Sequence, residues 1–189
     1  MSKNPPRETV ILANEFFRLK QNVETLYAVD LGCGSGRDTK FLLEKNWHVL
    51  AIDREKIGIE LLKKDLQTKH NNSLSTKVSS FEELELPEKF DLINSSYALP
   101  FCKPDYFPNL WLKIKEGLKI GGKFSGQLFG IKDEWVKYTD MNFHTKENIH
   151  DLFEDFTFDH FNEVEKKGPT SQGVDKHWHV FHIVATKVH

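Results

Sequence analysis

The sequence predicts an α/β fold, a doubly wound and mostly parallel sheet of seven strands with helices on both faces. Three observations carry this. Short apolar runs of strand length alternate with stretches of helical periodicity. A turn containing three glycines closes the first of those runs. The last two strand-like runs follow one another with no helix between them, which calls for an antiparallel pair. Alternating strands and helices argue a parallel sheet covered on both faces, and right-handed crossovers wind it doubly.

The elements follow in order. Leu12, Phe16, Leu19 and Val23 recur at helical spacing, so residues 8–23 read as an amphipathic helix. "LYAVDL" (26–31) is a short apolar run ending at glycines, a buried strand. A helix leaves the glycine turn and runs to about Lys45. "HVLAID" (48–53) is the second strand, and Ile57, Leu61, Leu62 and Leu66 mark a helix over 55–67. "LSTKVSS" (74–80) alternates and reads as the third strand, and "FDLINSS" (90–96) as the fourth. Phe107, Leu110, Trp111, Ile114 and Leu118 form a helical stripe, with Asp105 expected to open it. "GGKFSGQLFG" (121–130) starts as a turn and becomes the fifth strand. Ile149, Leu152, Phe153 and Phe156 give a last helix, with Thr145 as its N-cap. "FDHFNEVEK" and "HWHVFHIVATK" are the closing pair, with "KGPTSQGVD" between them.

The 189 residues suffice for one domain with a proper core. A net charge of -2 gives no whole-surface attraction to nucleic acid or to an anionic membrane, so neither is an expected partner. Cys33 and Cys102 stand too far apart in sequence for a CxxC site, and read as reduced core residues. The N-terminus lacks the apolar segment of a secretory signal, and no apolar run reaches the ~20 residues that cross a bilayer. The expected location is the cytoplasm.

In a doubly wound sheet the ligand crevice lies at the carboxyl ends of the strands, near the switch in strand order. The glycine turn, Asp53, Ser80 with Phe81, and Asn94 to Tyr97 all fall at such ends, and the tip of the final hairpin is a candidate lid. A nicotinamide-dinucleotide turn has the spacing G-x-G-x-x-G. Here Gly32, Gly34 and Gly36 alternate, and Arg37 takes the place of the third glycine. Asp30, two positions before the turn, suits a ligand with an amine or cationic centre and would repel a pyrophosphate. Asp53, at the end of the second strand, can accept hydrogen bonds from a ribose diol.

"VDLGCGSGRD", "VLAIDRE", "FDLINSSYALPF" and "LKIGGKF" together resemble the class I S-adenosylmethionine-dependent methyltransferases. The resemblance covers residues 26–130, and most resembles the small-molecule branch that includes tellurite-resistance-type and thiopurine-type enzymes. It implies a Rossmann-like sheet whose last strand runs antiparallel. It divides the chain into an N-terminal helical cap (1–24), a cofactor-binding core (25–130) and an acceptor-side segment with the final strand pair (131–189). The implied cofactor is S-adenosyl-L-methionine, with S-adenosyl-L-homocysteine as product. Gly32, Cys33, Gly34 and Gly36 would let the backbone approach it, and Asp30 would lie near its amino-acid end. Asp53 would bind the ribose hydroxyls with Arg54 beside the adenine, and Asn94 would stand at the end of the fourth strand. The family often places an acidic and then an apolar residue after the third strand. This chain has Ser80, Phe81 and Glu82, so Phe81 either stacks on the base or packs in the core, and either Ser80 or Glu82 makes the amine contact.

Methyl transfer from a sulfonium needs position and electrostatics more than a catalytic triad, and none is visible here. The catalytic residues stay unassigned, because an anionic acceptor would need no protein base. Asn94-Ser95-Ser96-Tyr97 lacks both prolines of the motif that amino-methylating enzymes carry there. The small-molecule acceptor is expected against Tyr97, Phe101, Trp135, His177 and His179. "GIKDEW" (130–135), the hairpin tip and "PPRE" (5–8) are the segments placed to shape its pocket. His177 and His179 share one strand face while His182 faces the other, so they do not form one metal-ligand set, and no metal is expected. Two other classes stay open, a nicotinamide-dependent oxidoreductase and a non-catalytic module that binds the same cofactor.

Overall fold

The structure, a computed structural model, describes residues 5–20, 25–67, 70, 72–87, 89–170 and 172–189. Five strands come first along the chain: β1 (Leu26–Leu31), β2 (Trp47–Asp53), β3 (Leu74–Val78), β4 (Phe90–Ser95) and β5 (Leu118–Phe129). A long hairpin of β6 (Phe156–Pro169) and β7 (Asp175–Lys187) follows. The helices are α1 (Glu8–Lys20), α2 (Arg37–Glu44), α3 (Lys56–Leu66), α4 (Phe107–Gly117) and α5 (Lys146–Leu152). The seven strands form one sheet in the order β3-β2-β1-β4-β5-β7-β6. β1 to β5 pair in parallel, and β7 runs antiparallel to both β5 and β6. The strand order reverses between β1 and β4, where Asp30 lies opposite Asn94.

The alternation of side chains explains why the central strands read as unbroken apolar runs. Val29 and Leu31 face one side of the sheet and pack with Phe107, Leu110, Trp111 and Ile114 of α4 and Ile149 of α5. Ala28, Val49 and Leu92 face the other and pack with Val10 and Phe17 of α1 and Leu42 of α2. Trp47 is fully buried there, and its indole N–H donates to Asn14 Oδ1 at 3.0 Å, so its polar atom is satisfied.

Several boundaries differ from the sequence reading. The first helix is described to Lys20, and the part expected over 21–23 lies outside the described residues. β5 starts at Leu118, because the expected turn at Gly121 and Gly122 is a bulge inside a longer strand, where the β4–β5 register shifts. Asp105 does not cap α4. The chain instead makes a backbone turn in which Phe107 N donates to Lys103 O, and Tyr106 occupies the cap position without a side-chain bond.

Thr145 caps α5 as the sequence predicts. Its hydroxyl accepts from Asn148 N at 3.1 Å, and Asn148 Oδ1 accepts from Thr145 N at 3.2 Å, a reciprocal capping box. Thr145→Ala is expected to cost about 1 kcal/mol, a value typical of a lost cap. Equilibrium denaturation would check it.

Candidate active site

At the carboxyl end of β1 the chain turns through Gly32, Gly34 and Gly36, all at positive φ. Gly32 has a steric reason to be glycine. A Cβ there would lie 2.2 Å from Ala98 Cβ, at a φ of +70° that side chains disfavour. Gly36 serves packing, since its Cβ would lie 2.3 Å from a Leu62 methyl on α3. Asp53 holds the turn from the next strand. Its Oδ2 accepts from Gly34 N at 2.7 Å and its Oδ1 from Glu55 N at 2.8 Å.

A crevice of about 200 Å³ opens beside this turn. It brings together Gly32, Asp53, Arg54, Phe81 and Glu82 from the residues expected around a cofactor, and Tyr97 and Phe101 from those expected around an acceptor. Sequence reasoning included Ser96 in the strand-end segment Asn94 to Tyr97 without giving it a role, and missed Ser79 and Ala98, which also line it. Ser96 Oγ is buried with no hydrogen-bond partner among the described residues, in a residue that lines the crevice. No periodicity singles out a serine of this kind.

The other expected residues sit outside the lining of the crevice. Asp30 is 2% exposed and lies beneath the turn. Its Oδ2 accepts from Thr39 Oγ1 at 2.5 Å and its Oδ1 from Asn94 Nδ2 at 2.9 Å. Asn94 Nδ2 also reaches Asp38 Oδ2 at 3.3 Å, and Asn94 Oδ1 accepts from Ser125 Oγ at 2.6 Å. Asp38 Oδ1 accepts from Arg7 N at 2.9 Å. The two carboxylates and Asn94 thus tie β1, β4, β5, α2 and the start of α1 into one buried polar network. Cys33 is buried against Ala51, Ile59 and Leu62, and burial with the nearby carboxylates Asp30 and Asp53 pushes its thiol up, so it stays protonated. Cys102 is likewise pushed up to about 11 by burial and by Glu82. Ser80 caps a local turn, its Oγ accepting from Glu83 N at 3.3 Å.

The lining carries Asp53, Glu82 and Arg54, and two further arginines, Arg7 and Arg37, stand beside Tyr97. Tyr97 adopts φ +56°, and its N–H donates to Gln127 Oε1 at 3.1 Å. The Arg7 guanidinium stacks 4.4 Å above the Tyr97 ring. Arg7 is held below the usual arginine range by burial and then by the like charge of Arg37, with Tyr97 and Asp38 acting in the opposite sense. The sequence pointed to residues 5–8 as a pocket-shaping segment but did not single out this side chain.

Trp135 lines a second cavity next to the crevice, and Phe101 belongs to both linings. His177 and His179 line neither. His177 Nε2 meets Glu165 Oε1 at 3.1 Å, while His177 N donates to Glu134 Oε2. His179 is buried, with Nδ1 accepting from Lys132 N at 3.2 Å and Nε2 at 3.0 Å from Glu163 Oε1, so the proton belongs on Nε2. Its ring fills the space a side chain at Gly130 would need. Both imidazoles are engaged with the hairpin's own carboxylates.

The family model described as "TehB: Tellurite resistance protein TehB" matches residues 9–168 of this sequence. The chain belongs to the TehB family. A curated relative, the probable S-adenosyl-L-methionine-dependent methyltransferase TehB of Haemophilus influenzae strain Rd, is 28% identical over 94 residues. That match takes in 50% of this chain but only 32% of the relative, so the comparison reaches about a third of that protein. The crystal structure of TehB from Haemophilus influenzae superposes with a TM-score of 0.80 at 18% identity, over 96% of this chain and 62% of the other. A Burkholderia thailandensis 1,6-didemethyltoxoflavin-N1-methyltransferase gives a TM-score of 0.66 at 19% identity, over 97% of this chain and 78% of that one. These likenesses establish the seven-stranded methyltransferase fold for this TehB-family chain.

The network under the glycine turn makes a prediction about pH. Burial first, and then the like charge of Asp38, raises the Asp30 carboxyl to about 7, against opposing hydrogen bonds from Thr39 and Asn94. Unfolded, the same group titrates near 4. Between these values the folded chain binds the extra proton, so stability contributed by Asp30 falls as pH rises from about 4 to about 7. Asp30→Asn in this TehB-family chain is expected to flatten the decline in melting temperature between pH 5 and pH 8. An unchanged slope would show that other groups set it.

Proposed function

We propose that this chain is an S-adenosylmethionine-dependent methyltransferase acting on a small anionic acceptor. The observation that carries the reading is the crevice itself. An acidic strand end (Asp53), a glycine that excludes any side chain (Gly32) and an unpartnered hydroxyl (Ser96) meet at the switch in strand order. In this reading Asp53 accepts from the ribose hydroxyls, Phe81 offers its ring to the adenine, and Gly32 and Gly34 admit the backbone to the ligand. Bound S-adenosylmethionine supplies the electrophilic methyl group, whose bond to sulfur breaks as the acceptor bond forms, with the electron pair left on S-adenosylhomocysteine.

Arg7 and Arg37 then draw an anionic acceptor to the Tyr97 side of the crevice, and the hydrophobic Phe101 borders the approach. An acceptor that arrives as an anion brings its own electron pair, so in this reading no general base is required. The family name makes tellurite one member of the acceptor panel to try. The absence of a membrane-crossing helix among the described residues and the two free thiols accord with a cytoplasmic setting.

Calorimetric titration with S-adenosylmethionine and S-adenosylhomocysteine tests the cofactor. Titration with NADH, followed by its fluorescence, separates the oxidoreductase alternative, which Gly36 packed on Leu62 and Arg37 in the third-glycine position disfavour. Folded protein that binds NADH and neither sulfur ligand would overturn the proposal. Cofactor binding without transfer from methyl-labelled cofactor to any anionic acceptor would instead leave a binding module.

A further inference from the structure

The second cavity, of about 470 Å³, opens on the far side of the shared Phe101 and is walled by Trp135, Tyr138 and Met141 with Lys176 beneath. Its size falls within the range of small-molecule sites, roughly 300–1,000 Å³. The chemistry of the walls points the same way. Phe101 and Tyr138 stand 44% and 46% exposed at its edge, beside a half-buried Trp135 and a buried Met141. The Phe101 and Trp135 rings lie 6.2 Å apart at 58°, an arrangement that presents ring faces and edges to a third aromatic group.

The cation nearest this space is already used. Lys176 is 2% exposed at its side chain, and its ammonium is paired with buried Asp133. It also sits 4.2 Å from the Trp135 ring and 4.0 Å from the Trp178 ring. The remaining charged groups at the edge, Glu134, Lys137 and Asp175, include both signs, so the cavity has no bias toward a bare anion. The cationic groups that would attract one, Arg7 and Arg37, belong to the Tyr97 side of the crevice.

We propose that this cavity receives the ring body of an aromatic acceptor, one or two fused rings in size, whose anionic reacting group extends past Phe101 into the crevice. The proposal rests on the methyltransferase reading for the role of the ligand, but the binding site is defined by the cavity alone. It makes the acceptor of this chain an organic molecule, with the ring held by Trp135 and Tyr138 and the charge directed toward Arg7 and Arg37.

The test uses 2-naphthoate as the probe, titrated into the full chain by calorimetry with and without S-adenosylhomocysteine, with tryptophan fluorescence as a second readout. Saturable one-to-one binding is expected, weakened about tenfold or more by Trp135→Ala, as for a lost aromatic contact. Tyr138→Ser, at an exposed position, should weaken it without lowering the melting temperature, which separates lost contact from lost folding. Tellurite should compete poorly. The proposal is overturned if folded wild-type protein shows no saturable binding, or if both variants bind the probe as tightly as wild type. Retained naphthoate binding in a chain that fails to bind S-adenosylhomocysteine would sink the methyltransferase reading and leave this site standing.

Discussion

Replacing Asp53 with alanine is expected to weaken binding of S-adenosylhomocysteine by about a hundredfold. The proposed loss has two parts. A carboxylate facing a ribose diol makes charge-assisted hydrogen bonds, each contributing about 1.5–3 kcal/mol. The same carboxylate also pins the glycine turn, through Gly34 N at 2.7 Å and Glu55 N at 2.8 Å. Without it the turn loses its anchor to the end of β2, and the ligand meets a less ordered backbone. About 2.7 kcal/mol in total corresponds to the hundredfold change. Asp53→Asn keeps the shape and one acceptor oxygen, and is expected to fall between wild type and alanine. Calorimetry on all three proteins checks the order. Equal affinities would remove Asp53 from the cofactor site and with it the principal support for the proposed function.

The largest effect on stability is expected from Lys176→Met. Asp133 is fully buried and receives N–H groups from Trp135 and His179, at 3.0 Å each, but Lys176 is its counter-charge. Removing the ammonium leaves a buried carboxylate without a cation, a change that costs about 3–5 kcal/mol in comparable pairs. For a chain of this length each kcal/mol lowers the melting temperature by roughly 2–4 °C, so a drop on the order of 10 °C should be measured. The double variant Asp133→Asn with Lys176→Met removes both charges, and is expected to recover much of the loss. This pair joins the segment after β5 to the start of β7, and so fixes Trp135, a wall of the second cavity, against Trp178.

The fold was legible in the sequence because the central strands are buried on both faces. "LYAVDL" and "HVLAID" read as apolar runs, and their ends are fixed by glycines and by Asp53. The capping box at Thr145 was legible for a similar reason, since a cap is a local event within four residues. Asp105 misled because a local preference for caps lost to the backbone turn at Lys103–Phe107. The glycine bulge in β5 was read as a turn because sequence shows the glycines but not the strand pairing that spans them.

The crevice was legible in part. Asp53, Phe81 and Tyr97 could be placed at strand ends by counting along the chain, Phe101 was expected on the acceptor side, and all four line it. Counting could not tell that Asp30 faces inward to Thr39 and Asn94, or that His177 and His179 are taken up by Glu165 and Glu163 of the facing strand. Side-chain partners across a sheet depend on register, and register is set by the whole packed structure.

By itself, then, the sequence determined the order of strands and helices, the position of the crevice and the acidic residue at its edge. These follow from periodicity, glycine conformation and chain connectivity, which are properties of neighbouring residues. The tertiary structure alone decided that Arg7 stacks on Tyr97, that Asp30 and Asp38 share one buried network, and that Lys176 is confined between two indoles against Asp133. Each of these joins residues distant in the chain, and each depends on burial. A charge in water reveals little in a sequence, while the same charge removed from water must find a partner.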